Sequence, residues 1–476
     1  MTDYRAFLES KIKIAGAEGI TVDAAEVNPL LKPHQVAIVI WALKGGRRAI
    51  FASFGLGKSF MQLEIMRLSI KHLGGRALIV VPLGARQEFI RDARVLATGD
   101  HPRVTDAQRA ALATWWAAQP DRPVEPRYIN RIEQAGTSGL YLTNYEPIRD
   151  GKLDPNAFTA ASLDEADVLR SFGSKTYHAF LAAFWRVRMR FVATATPSPN
   201  RYKELIHYAG FLGVMDTGQA LTRFFQRNSE QAGDLTLYPH KEREFWLWLN
   251  SWGAVVQRPS DLGYSDDGYL LPPLVIRWHE VQVDLADAGT ERDGQGLMFR
   301  GGAVGVSDVA REKRSSLPAR IAKMTEILQA DPDAHRILWH DLEAEREAIE
   351  AAVPTARSVY GAQDIDARER TVIEFSDGRF QYLAAKPVIA GAGCNFQRHC
   401  HKALFLGIGH KFRDLLQAIH RIQRFLQERP VEIDLIYAES EREVRRALEE
   451  KWARDIEMRD TMSDIIRRYG LKADLM

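Results

Sequence analysis

Cysteine is nearly missing from this chain: Cys394 and Cys400 are the only two in 476 residues. Two thiols make neither a disulfide framework nor a cysteine-rich zinc module, and a reducing compartment is the simple setting for them. Cys394 is expected to be a small buried residue. His399 and His401 flank Cys400, yet three ligands in consecutive positions do not readily surround one ion and no second cluster completes a set. Packing and surface roles are expected there. Long apolar runs are also absent, and none approaches the ~20 residues that cross a bilayer. The opening residues Met1-Thr-Asp-Tyr-Arg-Ala-Phe-Leu-Glu9 lack the basic, apolar, small-residue order of a secretory signal. The expectation is a protein soluble inside the cell. An excess of either charge is missing as well: 64 Lys and Arg stand against 62 Asp and Glu, a net charge of +2, which excludes a global basic field and leaves only local patches and backbone amides for any polyanion.

What the chain does have is apolar content, at 46% hydrophobic residues, enough for more than one core; the length suggests about three domains. It also has Ala52-Ser-Phe-Gly-Leu-Gly-Lys-Ser59, which fits the phosphate-loop pattern G-x-x-x-x-G-K-[ST] with Ala52 in place of the first glycine. The apolar Arg48-Ala-Ile-Phe51 before it and the helix-like Phe60 to Leu68 after it supply the strand, loop and helix that the pattern needs. Gly55 and Gly57 allow backbone N–H groups to turn inward at a helix N-terminus, where partial positive charge favours phosphate. Lys58 is expected to reach the β- and γ-phosphates of ATP, and Ser59 to ligate Mg2+. A second feature, Leu163-Asp-Glu-Ala-Asp167, follows the small-residue and apolar stretch Phe158 to Ser162. That stretch has poor β-propensity but can form a buried strand. Asp164 suits Mg2+ held through its water shell, and Glu165 can orient and deprotonate an attacking water.

With these residues in place, the sequence resembles the superfamily 2 helicases and translocases, and the remaining motifs follow in order. Leu31-Lys-Pro-His-Gln35 resembles the adenine-reading Gln motif, with Gln35 as the reading amide. Ala77 to Pro82 and Leu140 to Glu146 resemble strands that end in nucleic-acid contact loops, which implicates Thr143 and Asn144. Val192-Ala-Thr-Ala-Thr-Pro197 resembles the coupling motif, with Thr194 and Thr196 linking hydrolysis to domain movement. Arg336 to His340 resembles the first strand of a second domain. Val388 to Gln397 resembles a glycine-rich turn that touches nucleic acid, implicating Gly391, Gly393 and Asn395. Gln417-Ala-Ile-His-Arg-Ile-Gln-Arg424 resembles the Q-x-x-G-R-x-x-R motif, with Arg421 and Arg424 as candidate arginine fingers and Gln417 in coupling. His420 and Leu426 depart from it by standing where glycine is usual. Thr196-Pro-Ser-Pro-Asn200 and Gly393-Cys-Asn-Phe-Gln397 look most like the Swi/Snf-type branch and phage or prophage DEAD/DEAH-box relatives.

The resemblance implies an α/β fold of two tandem RecA-like doubly wound parallel-sheet domains, at 1–200 and 319–440, with an accessory region at 201–318 and a helical extension at 441–476. It implies an ATP- and Mg2+-dependent translocase on DNA, duplex before single-stranded, with RNA second, in the cytoplasm of a bacterial or phage-infected cell. A strand-separating helicase and an ATP-switched clamp are the alternatives. Phe245, Trp248, Leu249 and Trp252 recur at helical spacing, which predicts one buried face. Gly289 to Gly305 reads as a linker.

Overall fold

The computed structural model describes residues 15–121, 125–170, 175–197, 202–227, 235–282, 313–390, 396–409 and 411–471. The chain divides into two compact units. One holds the residues up to Tyr269 together with those from Asp455 onward, and the other is Leu270–Arg454.

The first unit is built on seven strands: β1 (Arg47–Ala52), β2 (Arg76–Val80), β3 (Arg127–Tyr128), β4 (Gly139–Thr143), β5 (Ala160–Asp164), β6 (Met189–Ala193) and, after a small antiparallel pair β7 (Phe225–Arg227) and β8 (Leu235–Leu237), β9 (Gly253–Val256). The order is β3-β4-β2-β5-β6-β1-β9. Every pairing in it is parallel. The inner strands are apolar runs because a parallel sheet is covered on both faces. Strand β5, Ala-Ala-Ser-Leu-Asp, has weak intrinsic preference but is buried at all five positions. Its Ser162 Oγ donates to Gln62 Oε1 at 2.6 Å, on the covering helix Lys58–Leu73. Small side chains there admit the helix, so packing overrides propensity.

The span 201–318, in which the sequence shows no motor motif, divides between the two units. Residues 202–269 join the first, where β9 extends the sheet beside β1. The helix Glu242–Trp252 buries Phe245, Trp246, Trp248, Leu249 and Trp252 in the core beneath it. The aromatic stripe is therefore structural, as its spacing predicts. The span's later part supplies an edge strand to the second unit. Residues 283–312, which include the expected linker, lie outside the described residues.

The second unit carries β10 (Leu274–Val281), β11 (Arg336–Trp339), β12 (Arg357–Val359), β13 (Tyr382–Ala385), β14 (Lys402–Phe405) and β15 (Val431–Ala438), ordered β10-β15-β14-β11-β13-β12. These strands also pair only in parallel. Cys400 is buried just before β14, and burial pushes its thiol up to about 12, far from reactive. The helical segment after β15 is a single helix, Arg442–Tyr469. Its later residues Met458, Met462 and Ile466 are buried in the first unit, where Ser463 and Arg467 bond to the buried Asp261.

A charged pair lies inside the second unit. Arg320 and Glu441 form a salt bridge with both side chains fully buried. Arg320 also donates to the Leu406 carbonyl at 3.2 Å, and Glu441 accepts the Ala438 N–H at 2.9 Å. Burial nevertheless pushes the Glu441 carboxyl above its usual range, against the pull of Arg320. Removing one partner strands the other in a dry site. Arg320→Met is expected to destabilise this unit by about 3–5 kcal/mol in chemical denaturation, and Arg320→Met/Glu441→Leu to recover most of the loss. A double variant no better than the single would mean that the carbonyl contacts of Arg320, not the charge pairing, hold the unit together.

Candidate nucleotide site

The order β5-β6-β1 puts three strand ends side by side, with Ala193 in register with both Ile50 and Asp164. The phosphate-loop residues, the Asp164-Glu165 pair and Thr194 therefore share one carboxyl edge, where parallel α/β sheets bind ligands. Residues far apart in sequence meet there because the strands are dealt out of chain order.

The loop from Ser53 to Gly57 joins β1 to the helix Lys58–Leu73, and its glycines perform the expected task. Gly55 and Gly57 have φ of 83° and 79°, the left-handed region that glycine enters without strain. A Cβ on Gly57 would also lie 2.2 Å from Gln35 Nε2. Gln35 is buried against the loop. Its Nε2 donates to the Leu56 carbonyl at 3.0 Å, and its Oε1 accepts the Lys32 N–H at 2.8 Å. Lys58 Nζ folds onto the loop backbone, donating to the Ala52 carbonyl at 2.9 Å. Ser59 Oγ donates to Asp92 Oδ2 at 2.5 Å.

At the end of β5, Asp164 is buried and its Oδ1 accepts from Gln62 Nε2 at 2.8 Å. Burial, and then the charge of Glu165, hold Asp164 well above the usual carboxylate range; the Gln62 hydrogen bond and Lys58 oppose this. Two adjacent carboxylates, one of them desolvated, are the electrostatics of a place for a cation. The donor set fits both Mg2+ and a triphosphate: hard oxygens from Ser59 and Asp164, a lysine, and amides at a helix start. Glu165 is held at φ 47°, and its Oε2 accepts from Thr194 Oγ1 at 3.2 Å. Thr194 Oγ1 also accepts the Thr196 N–H at 3.2 Å. The Thr196 backbone N–H and the Thr194 hydroxyl thus form a chain of hydrogen bonds that ends on the candidate base. Tyr145 O–H donates to the carbonyls of Asp164 and Glu165, pinning the turn.

Thr143 is fully buried at the end of β4, and its carbonyl accepts the Val81 N–H at 2.8 Å. Of that pair only Asn144 is solvent-accessible, and its Oδ1 accepts from Tyr128 O–H at 2.6 Å. Gly391, Gly393 and Asn395 lie outside the described residues.

Gln417, Arg421 and Arg424 belong to the second unit. The helix Phe412–Ile419 carries Gln417 one turn after Arg413, with which its amide oxygen pairs at 3.2 Å once oriented to accept. His420 caps that helix at φ −75°, a conformation that does not require glycine. Leu426 is different. Its φ is 78°, so the chain keeps a glycine backbone under a leucine side chain, a strain of roughly 1–2 kcal/mol.

No family model matches this sequence, and no curated protein does. Among solved structures, the chain is similar to S. cerevisiae Dbp5 bound to RNA and ADP BeF3, at 11% identity and a TM-score of 0.51, covering 93% of this chain and 98% of that chain. A point variant of Dbp5 with the same ligands gives 12% identity and a TM-score of 0.49 over the same shares. The fold is that of two tandem RecA-like domains. At such identity the likeness establishes the architecture and leaves the chemistry to the residues themselves.

Four of those residues escape a reading of the sequence. Gln62 lies three positions after Ser59, so its place on the same helical face is readable, but its bond to Asp164 is not. Ser162 and Tyr145 stand inside motif stretches with no mark of their role. Asp92 looks like one more charge on an amphipathic helix.

Proposed function

We propose that the chain is a nucleic-acid-stimulated ATPase that couples hydrolysis of Mg-ATP to movement on, or remodelling of, DNA. The observation that carries this reading is the linked set at one sheet edge: Lys58 at the phosphate loop, Asp164 held by Gln62, and Glu165 held by Thr194, on a chain with two RecA-like domains. Lys58 and the loop amides would bind the phosphates, Gln35 is the proposed base-reading amide, and Ser59 and Asp164 would hold the metal. Bound Mg2+ supplies charge neutralisation at the phosphates. Glu165 takes a proton from water, and Thr194 with Thr196 reports that state to the rest of the domain. Arg421 and Arg424, carried by the second domain, are the proposed arginine fingers for charge on the transferring phosphate, and Gln417 has the proposed coupling role.

Duplex DNA is the proposed track because the sequence motifs resemble the Swi/Snf-type branch. RNA, or a separated strand, is the second reading, favoured by the RNA in the Dbp5 structure named above. Steady-state hydrolysis without polymer, and with single-stranded DNA, duplex DNA or RNA, separates the two. Strong stimulation by duplex DNA supports translocation on DNA. Preference for RNA or single strands transfers the assignment to the second reading, and indifference to every polymer points to an ATP-switched protein clamp. Lys58→Ala is expected to cut turnover by about a hundredfold or more, since it removes the cation that meets charge on the transferring phosphate. Turnover within a few-fold of wild type would remove Lys58 from the site.

A further inference from the structure

Ser59 is the second residue of the helix Lys58–Leu73, and the phosphate-loop pattern assigns its oxygen to the cation. Its proton goes to Asp92 Oδ2, 2.5 Å away. Asp92 lies on the helix Arg86–Thr98, among the buried residues Phe89, Ala93, Val95 and Leu96. It is only 9% exposed. A carboxylate on an apolar face is expensive unless something specific holds it. The acidic residue of the Asp-Glu motif does not meet this serine: Asp164 accepts from Gln62 at 2.8 Å. Two carboxylates from different elements therefore bond to the first turns of one helix, Asp164 through Gln62 and Asp92 through Ser59.

A hydroxyl has one proton and two lone pairs. Committing the proton to a carboxylate leaves the lone pairs for a cation and makes the oxygen a better donor to it. Partners of this kind behind a metal-binding side chain fix its orientation and tune its basicity. We infer that Asp92 is a positioning residue for the divalent cation of the bound nucleotide, acting through Ser59. The inference rests on the nucleotide site proposed above and adds a residue that the sequence motifs do not contain. It also divides the work of the loop: Lys58 and the amides answer to phosphate, whereas the Ser59–Asp92 pair answers to the metal.

That division is what the test reads. The full chain is titrated with a fluorescent ATP analogue at rising free Mg2+, and in parallel in EDTA, for wild type, Asp92→Asn, Ser59→Ala and the double variant. Asp92→Asn keeps the shape and loses the charge. It is expected to raise the Mg2+ concentration for half-maximal tightening by about tenfold, with affinity in EDTA unchanged. Ser59→Ala should produce a similar shift, and the double variant no further one, because the two residues act in series. Should Asp92→Asn not fold, Asp92→Ser, neutral and small, makes the same comparison. An unmoved Mg2+ midpoint, an equal loss of affinity in EDTA, or independent effects that multiply in the double variant each overturn the inference and leave Asp92 as a support for the loop. Wild-type protein that binds no nucleotide in either series overturns the nucleotide site itself, a result distinct from Mg2+-dependent wild-type binding that ignores Asp92.

Discussion

Glu165→Gln protein is expected to bind ATP with wild-type affinity and to turn it over about 10²–10⁴-fold more slowly, the span that a positioned general base contributes. The substitution keeps the size of the side chain and an oxygen for Thr194 Oγ1, which now lies 3.2 Å from Glu165 Oε2. Only the capacity to accept a proton from water is lost. The local backbone supports this choice of residue. Among described residues that are not glycine, only Glu165 and Leu426 have positive φ. A side chain kept in that region is held there by its surroundings, and for Glu165 the holders are Tyr145 on the backbone and Thr194 on the carboxylate. Binding and hydrolysis are measured separately, by equilibrium titration and single-turnover phosphate release. Turnover at the wild-type rate would sink the water-activation assignment and pass that role to Asp164 or to the substrate itself.

The second large effect belongs to Arg421 and Arg424. If one of them is the finger, alanine there is expected to lower hydrolysis by about 10³-fold or more while ATP binding persists, because such an arginine meets charge that develops only in the transition state. The other arginine should show a smaller loss. Both lie in the turn after the helix Phe412–Ile419, and Leu426 with φ 78° follows them. Strain kept just beyond two candidate catalytic cations is expected where a turn must present side chains in one orientation. Separate Arg421→Ala and Arg424→Ala variants, each in single-turnover hydrolysis with polymer present, make the assignment. If neither slows the chemical step, the finger role falls for this motif altogether.

The two non-glycine residues of positive φ also show how far the sequence could be read. Leu426 is conspicuous beforehand because it stands where glycine is usual, and the structure shows the glycine conformation retained beneath it. Glu165 carries no such signal, since a carboxylate in an Asp-Glu-Ala-Asp run looks the same at any φ. Strand β5 was readable from its motif more than from its residues, whose weak β-propensity is overridden by burial on both faces. The edge strands β9 and β10 were not readable: each lies in a span without motor motifs and becomes a strand by lying beside β1 or β15.

The amino-acid sequence by itself determined the phosphate loop, the Asp164-Glu165 pair, the threonines of the coupling motif and the two-domain α/β architecture. These depend on local demands: glycine where φ is positive, a lysine and a hydroxyl where the phosphate-loop pattern puts phosphate and metal, and apolar runs where a parallel strand is covered twice. Tertiary structure alone decided which ordinary residues serve that machinery. Gln62 reaches Asp164 across 102 positions and Ser59 reaches Asp92 across 33, and contacts of that kind follow from strand order and helix packing, which no spacing of residue types encodes.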